Sequence, residues 1–269
     1  MEIQTQTQTA PLSETPQPGT GAGTGAGERI YVTGIPVDHF AEEGFEDRLS
    51  LLTACGKAGN IVFLSLWDLM RARRDREFRR LLEQAALVIP VSRGIQRGAA
   101  FLKKTVPARY MPFEFVIRFL AALEERQRSL YLLGCTPEEL QSIEQNLRQT
   151  FPGLKIVGRY TGSYPRAKDK DIRTAIKKAA PHCVLMGSGI RGKEKWFFRR
   201  KDDFSTGVFI WSASVMDIIS GKRKKVSRET FQKGREFIPE LIRRPWRAVR
   251  GIVYLYFGLL LLVYRLKKT

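Results

Sequence analysis

The sequence predicts the α/β fold class: a mostly parallel, Rossmann-like sheet with helices on both faces, followed by a basic helical C-terminal appendage suited to membrane binding. Three observations predict it. Short runs that are apolar throughout alternate with helical stretches, which is the pattern of strands buried on both faces. Two of those runs end in glycine. The last fifth of the chain joins dense positive charge to one apolar run.

The elements follow in order. Arg29-Ile30-Tyr31-Val32-Thr33 is a strand candidate stopped by Gly34 and Pro36. Phe45 to Thr53 reads as a helix with Phe45, Leu49, Leu52 and Thr53 on one face. Asn60 to Leu64 is a buried strand, Trp67 to Gln84 a strongly charged helix, and Ala85 to Pro90 another buried strand. Phe113 to Arg126 is helical and precedes strand Leu130 to Leu133. The helix from Pro137 to Thr150 opens with proline and the acids Glu138 and Glu139, which suit a helix N-terminus. Strand Leu154 to Gly158, helix Ile172 to Ala180, strand Cys183 to Gly187 and strand Gly207 to Trp211 complete the body. The expected divisions are a low-complexity tail (1–28), an α/β domain (29–221) and a membrane-associating segment (222–269).

Composition narrows the function classes. Forty-six Lys and Arg against 27 Asp and Glu give a net charge of +19, a field that favours anionic partners. The three cysteines (Cys55, Cys135, Cys183) are far apart, so neither a disulfide framework nor a zinc knuckle is expected, and a reducing cytoplasm fits. With only His39 and His182, a histidine metal site or a Ser-His-Asp triad is not expected. Residues before Glu28 are Gln/Thr, Pro and Gly/Ala/Thr tracts without the basic start and apolar middle of a secretion signal, and read as a flexible tail.

Ligands of such sheets bind where strand carboxyl ends meet loops. Gly134 and Gly187-Ser188-Gly189 lie at two of those ends, where glycine admits close backbone approach and a following helix N-terminus favours phosphate; simple turn chemistry is the plainer alternative. The stretch from Gly187 to Trp196 (GSGIRGKEKW) permits two readings: a loop contacting a nucleotide diphosphate with Lys193 or Arg191 as cation, or a solvated helix start with Trp196 in the core. Asp169-Lys170-Asp171 has the D-x-D form of a divalent-metal site, but its place at the start of a Lys-rich helix favours capping, so no metal is expected.

In the appendage, Arg243, Arg244, Trp246, Arg247 and Arg250 precede the apolar run Gly251 to Tyr264, which includes Tyr254 and Phe257 and is followed by Arg265, Lys267 and Lys268. As a helix that run is roughly 21 Å long, short of a ~30 Å hydrocarbon core. Shallow insertion beside anionic lipid on the cytoplasmic face of the inner membrane is the expectation, with a buried C-terminal helix or a short span as alternatives. Nucleic acid is the poorer partner: the basic stretch lacks zinc-finger spacing, a leucine-zipper repeat and an RRM-like aromatic motif.

Six motifs in order resemble the WecG/TagA/CpsF family of bacterial glycosyltransferases. Gly34-Ile35-Pro36-Val37-Asp38 resembles its G-V-P-V-D opening, and Ala72 to Pro90 its "ARRDPELREALNAADLVLPDG". Leu132-Leu133-Gly134 through Phe151-Pro152-Gly153-Leu154-Lys155-Ile156-Val157-Gly158 resembles "LLGG-P…YPGLKIVG". Gly187 to Trp196 stands for "GLGSPKQEKW", Met216-Asp217 to Gly221 for "FDFLAG", and the basic tail for the membrane-binding appendage. The resemblance spans roughly Arg29 to Arg247. It implies metal-independent, inverting transfer of an N-acetylhexosamine-type sugar from a UDP-sugar to a polyprenyl-diphosphate-linked sugar, with UDP-sugar as donor substrate and no resident cofactor.

The same resemblance implies donor contacts at Ser65, Arg109, Gly134, Gly187, Gly189, Lys193 and Glu194. Inverting transfer needs a base on the acceptor hydroxyl, a role the family gives to the aspartate of P-D-G. Here Pro90 is followed by Val91 and Ser92, so that carboxylate is missing. The candidate catalytic residues are then Asp68, Glu114 and Ser92; otherwise the pocket has moved, or the chain binds nucleotide-sugar or a partner transferase without catalysing.

Overall fold

A computed structural model describes residues 27–40, 44–54, 57–234 and 250–266. Eight strands and eleven helices follow in the order β1 (Glu28–Val32), β2 (Ile35–His39), α1 (Phe45–Ala54), β3 (Gly59–Leu64), α2 (Leu66–Ala72), α3 (Arg76–Gln84), β4 (Leu87–Pro90), α4 (Arg93–Phe101), α5 (Pro112–Glu125), β5 (Ser129–Leu133), α6 (Pro137–Thr150), β6 (Lys155–Tyr160), α7 (Asp169–Ala179), β7 (Cys183–Met186), α8 (Lys195–Phe198), β8 (Val208–Trp211), α9 (Ala213–Ile219), α10 (Arg228–Gln232) and α11 (Arg250–Leu266).

Strands β3 to β8 form one sheet in the order β4-β3-β8-β7-β5-β6, with every neighbouring pair parallel. The expected parallel α/β sheet is therefore present. Its central strands β5 and β7 are buried along their whole length, as continuous apolar runs require, whereas β6 at one edge alternates exposed and half-buried.

The two faces are covered differently. Against one face a single apolar cluster runs from Phe45 and Leu49 of α1 through Phe115 and Phe119 of α5 to Leu140 of α6 and Met216 of α9. The other face carries two separate clusters. Over β3 and β4 lie α2, α3, α4, the β1–β2 hairpin and part of α11, meeting at Leu69, Phe78, Leu82, Ile95 and Phe257. Over β5 and β7 lie α7 and α8, meeting at Ile172, Ile176, Trp196 and Phe197.

Several expected boundaries move. The strand ended by Gly34 and Pro36 is instead the first arm of an antiparallel hairpin: Thr33 (φ 48°) and Gly34 (φ 80°) make the turn, and Tyr31 pairs with Pro36. Proline is tolerated because β2 belongs to this two-stranded ribbon and not to the main sheet. The single helix read over Trp67 to Gln84 is two, because Asp75 turns its carboxylate onto the N–H of Phe78 (3.0 Å) and caps a new helix. Two short helices, α4 and α9, and the five-residue α10 are added; α4 contains two glycines, which weaken a helical pattern in sequence.

The hairpin is fastened to the sheet edge by Asp38. This aspartate, 3% exposed, accepts from Nε and Nη2 of Arg29 at 2.7 and 2.8 Å and from the N–H of Val88 in β4 at 2.6 Å. Arg29 continues to the carbonyl of Ala85 (2.8 Å), just before β4. One side chain thus satisfies an edge-strand donor that water does not reach. Replacing Asp38 with Ala leaves that donor and a guanidinium without their acceptor. The expected cost is about 2–3 kcal/mol, with Asp38→Asn costing less, read from urea-unfolding midpoints.

Candidate functional site

The carboxyl ends of the strands bring together Ser65 after β3, Val91 and Ser92 after β4, Gly134 after β5, Gly187 after β7 and Trp211 at the end of β8. From β8 the chain leaves into α9 over the face with the single cluster, whereas its neighbours β3 and β7 leave into α2 and α8 over the other face. Connections that part in this way open a crevice at the strand ends, the usual ligand position in an open α/β sheet.

The glycines at these ends meet one another. A Cβ on Gly134 (φ 119°) would lie 2.7 Å from the Gly187 nitrogen, and one on Gly162 would lie 2.2 Å from the Ser188 carbonyl oxygen. The N–H of Cys135 donates to that same carbonyl at 2.8 Å, and Gly162 donates to the carbonyl of Cys135 at 3.0 Å. Close approach is therefore real at Gly134, Gly187 and Gly189, but the partner is a neighbouring backbone at Gly134 and Gly189 and the Cys135 and Met216 side chains at Gly187. The loops after β5, β6 and β7 become one unit.

The three acid–base candidates all carry structural duties. Ser65 caps α2: its Oγ accepts from the Asp68 N–H at 3.2 Å and donates to Asp68 Oδ2 at 2.6 Å, while Asp68 Oδ2 also accepts from the Ser65 N–H at 3.3 Å. Ser92 caps α4 by accepting from Gly94 at 3.3 Å. Glu114, in the first turn of α5, is ion-paired with Arg228 at 2.6 Å and Lys225 at 3.3 Å. Partial burial works to raise its carboxyl pKa, but the hydrogen bonds from Arg228 and Lys225 outweigh that and hold it below the usual carboxylate range.

Arg109 reaches the position of the missing aspartate. Its Nε donates to the carbonyl of Val91 at 3.0 Å, its Nη2 donates to the carbonyl of Phe231 at 3.3 Å, and its guanidinium lies 4.1 Å from the Phe231 ring centroid. Residues 222–234 are drawn across the strand ends by these contacts and by Lys222 on Glu139 at 2.5 Å.

The loop from Gly187 to Glu194 is held by charge. Glu194, nearly buried, pairs with Arg71 at 2.8 Å, and Lys195 pairs with Asp75 (2.6 Å) and Glu77 (2.9 Å). Arg199 makes two bonds to Glu77, at 2.6 and 2.8 Å. Arg199 and then Lys195 drive the Glu77 carboxyl down to about 2. Trp196 is fully buried, as the structural reading of this stretch expected, while Lys193 stays at the loop tip with φ 52°. Its Nζ lies 5.8 Å from the ring centroid of Trp211, whose indole N–H donates to the Gly187 carbonyl at 3.1 Å. Trp211 was legible only as the last residue of a strand; the aromatic at a strand's carboxyl end was the available signal.

The D-x-D motif corrects differently from either alternative. Asp169 makes no N-cap hydrogen bond, and the cap position of α7 is Lys168. Its carboxylate instead takes Arg200 (3.0 Å), Arg173 (3.2 Å), the Tyr164 hydroxyl (3.2 Å) and the Trp196 indole N–H (3.3 Å), so it braces α7 against α8. Asp171 stands exposed beside Lys168.

The C-terminal helix has one side buried against the body, as the alternative of a buried helix expected. Phe257 and Leu261 of α11 are buried against α2 and α4, with Gly98 providing the space: a Cβ there would lie 2.6 Å from Phe257 Cζ. Phe257 therefore faces the body and not a lipid. Tyr264 accepts from Arg73 at 3.2 Å. The opposite side leaves Leu255, Leu259, Leu262, Val263 and Leu266 exposed, together with Tyr254. Arg243, Arg244, Trp246 and Arg247 lie outside the described residues, as does the side chain of Arg250. Among the described residues no helix is long and apolar enough to cross a membrane.

The sequence pattern of the glycosyl transferase WecG/TagA/CpsF family matches residues 30–269. Curated relatives from several strains of Staphylococcus aureus, COL among them, bear the name N-acetylglucosaminyldiphosphoundecaprenol N-acetyl-beta-D-mannosaminyltransferase. They are 20% identical to this chain over 154 residues, which is 57% of this chain. The chain spans about 60% of the length of these relatives.

The low pKa of Glu77 fixes the sign of an acid effect. A carboxyl depressed from 4.5 to about 2 stabilises the fold above pH ~4.5, and that contribution is lost as pH falls toward 2. Because Glu77 is partly exposed, screening limits the effect to about 1 kcal/mol. Glu77→Gln is expected to flatten the acid limb of stability between pH 4.5 and 2, measured by urea unfolding across that range.

Proposed function

Because the chain belongs to the WecG/TagA/CpsF family of glycosyl transferases, we propose that it transfers an N-acetylhexosamine-type sugar from a UDP-sugar to a polyprenyl-diphosphate-linked sugar, inverting and without metal. The observation that carries this reading is the family match across residues 30–269, coinciding with a crevice at the strand carboxyl ends. In this reaction a base removes the acceptor hydroxyl proton, the oxygen attacks the anomeric carbon, and the bond to the diphosphate breaks as UDP leaves. Arg109 and Lys193 are the cations placed to offset the charge that collects on the departing diphosphate.

Val91 supplies no base, so the proton must go elsewhere. Of the candidates, Asp68 has the best position. Leu64 pairs with Pro90 and the Val91 N–H bonds to the Leu64 carbonyl, which sets the start of α2 beside the family's aspartate position on the next strand. Glu114 is a poor base, because two cations hold its proton affinity down. Ser92 accepts from the Gly94 N–H, a contact that does not make its hydroxyl a base. A second reading, a silent relative that binds nucleotide-sugar or a partner transferase, is favoured by the missing carboxylate at Val91.

Labelled UDP-N-acetylhexosamines and a polyprenyl-diphosphate sugar, incubated with the full chain, separate the two. Transfer is expected, falling at least ~100-fold in Asp68→Asn with donor affinity kept. UDP binding with no transfer to any such acceptor would establish the silent relative.

The lipid acceptor requires the chain to work at a membrane, on the cytoplasmic face where UDP-sugars are found. The outward apolar side of α11, which carries Arg265 and is followed in sequence by Lys267 and Lys268, supports peripheral attachment to anionic lipid. Leu255 and Leu259 are 73% and 62% exposed, so charge at these sites leaves the fold intact. The double change Leu255→Glu and Leu259→Glu is expected to abolish sedimentation with phosphatidylglycerol vesicles while the unfolding midpoint stays unchanged.

A further inference from the structure

Trp211 ends the strand whose own connection departs to the opposite face. Strand alternation points Phe209 and Trp211 toward the face carrying α8 and Ile210 toward the other, as the two clusters confirm. The indole thus lies on the side that α9 leaves uncovered, between the start of α2 after β3 and the loop after β7. It is half-buried, as is Tyr160 on the edge strand, while Phe197, Phe204 and Phe209 of the same cluster are buried.

The ring is fixed from below. Met186 of β7 pairs with Trp211 through the backbone, and the indole N–H is committed to the Gly187 carbonyl. A tryptophan with its polar atom satisfied and part of its surface open offers a rigid apolar plane. Lys193 is held beside that plane in a left-handed conformation that a lysine rarely adopts. That conformation persists because the chain on both sides is pinned: Lys193 donates to the Ile190 carbonyl at 3.2 Å, its own carbonyl takes the Trp196 N–H at 3.0 Å, and Glu194 is locked to Arg71.

We propose that Trp211 is a stacking platform for the base of a nucleoside diphosphate, with Lys193 pairing with the diphosphate at its edge. The inference rests on the transferase reading for its ligand class and adds the residues that seat the base. A flat aromatic next to a cation is the pairing that a nucleotide needs, since the base brings a π-face and the diphosphate brings negative charge. A purely structural tryptophan would not need an open face, nor a strained lysine over it.

The test uses the full chain with UDP and uridine as probes, followed by calorimetry and by tryptophan fluorescence. Wild type is expected to bind UDP with quenching that Trp211→Phe removes. Trp211→Ala is expected to weaken UDP about tenfold or more, whereas Trp211→Phe, which keeps a ring but loses the bond to Gly187, stays within about threefold. Lys193→Met is expected to weaken UDP about tenfold and leave uridine unchanged. If Trp211→Ala and Trp211→Phe both bind UDP as wild type does, the platform is wrong and the transferase reading stands. If wild type binds no UDP, both fall. Should Trp211→Ala unfold, the fluorescence of Trp211→Phe and the UDP-to-uridine comparison in Lys193→Met decide alone.

Discussion

One face of the sheet is sealed by a continuous apolar cluster, but the other is covered by two clusters that do not merge. Phe198 of α8 packs on the cluster over β3 and β4, and charge ties the two further: Arg71, Asp75 and Glu77 from α2 and α3 against Glu194, Lys195 and Arg199 from the loop and helix after β7. An exposed ion pair contributes little, about 0.2–1 kcal/mol, and a network of such charged groups is worth more only where its members share partners and lose water. Lys195 and Glu194 do lose most of their water, at 12% and 10% side-chain exposure. A hydrocarbon seam would join the two halves as well, but would fill the space between them. The ion network holds the loop after β7 at a set distance from α2 and leaves the strand ends of β3 and β8 open.

That geometry explains why the glycines matter. With the loop after β7 anchored from one side by Arg71 and Asp75, its other side packs on the loops after β5 and β6 at backbone contact distance. Gly134 and Gly162 are needed because main chains meet there, and Gly187 because Cys135 Sγ lies 2.5 Å from where its Cβ would be. The same anchoring over-determines the backbone at Lys193 and so sustains its positive φ. The lysine, Trp211 and Arg109 are the polar and aromatic groups that this frame presents at the strand ends.

The appendage also depends on the α2–α3 unit. Arg73, two residues on from Arg71, bonds to Tyr264, and Phe257 fits the gap left by Gly98 on α4. The helices that shape the crevice therefore also carry the helix proposed to meet lipid.

Much of the architecture was legible in the residues. Uninterrupted apolar runs such as Leu130 to Leu133 and Cys183 to Met186 can only be strands covered on both sides, and alternation with helices makes their sheet parallel. The proline and acids at Pro137 to Glu139 and the short apolar run of the appendage were local signals of the same kind, since each depends on residues within a few positions of one another. Local patterns could not decide what depends on partners distant in sequence. Asp75 reads as one more charge in a charged helix until it caps α3 and meets Lys195, 120 residues away. Asp169 reads as a cap or a metal ligand, and its partners Trp196 and Arg200 decide otherwise. Phe257 reads as a lipid anchor until Gly98 receives it. Sequence by itself determined the periodicities, the charge and the missing carboxylate at Val91; tertiary structure decided which polar groups are spent on holding the fold and which remain at the crevice, because that depends on which charges come within hydrogen-bond reach once the chain has closed.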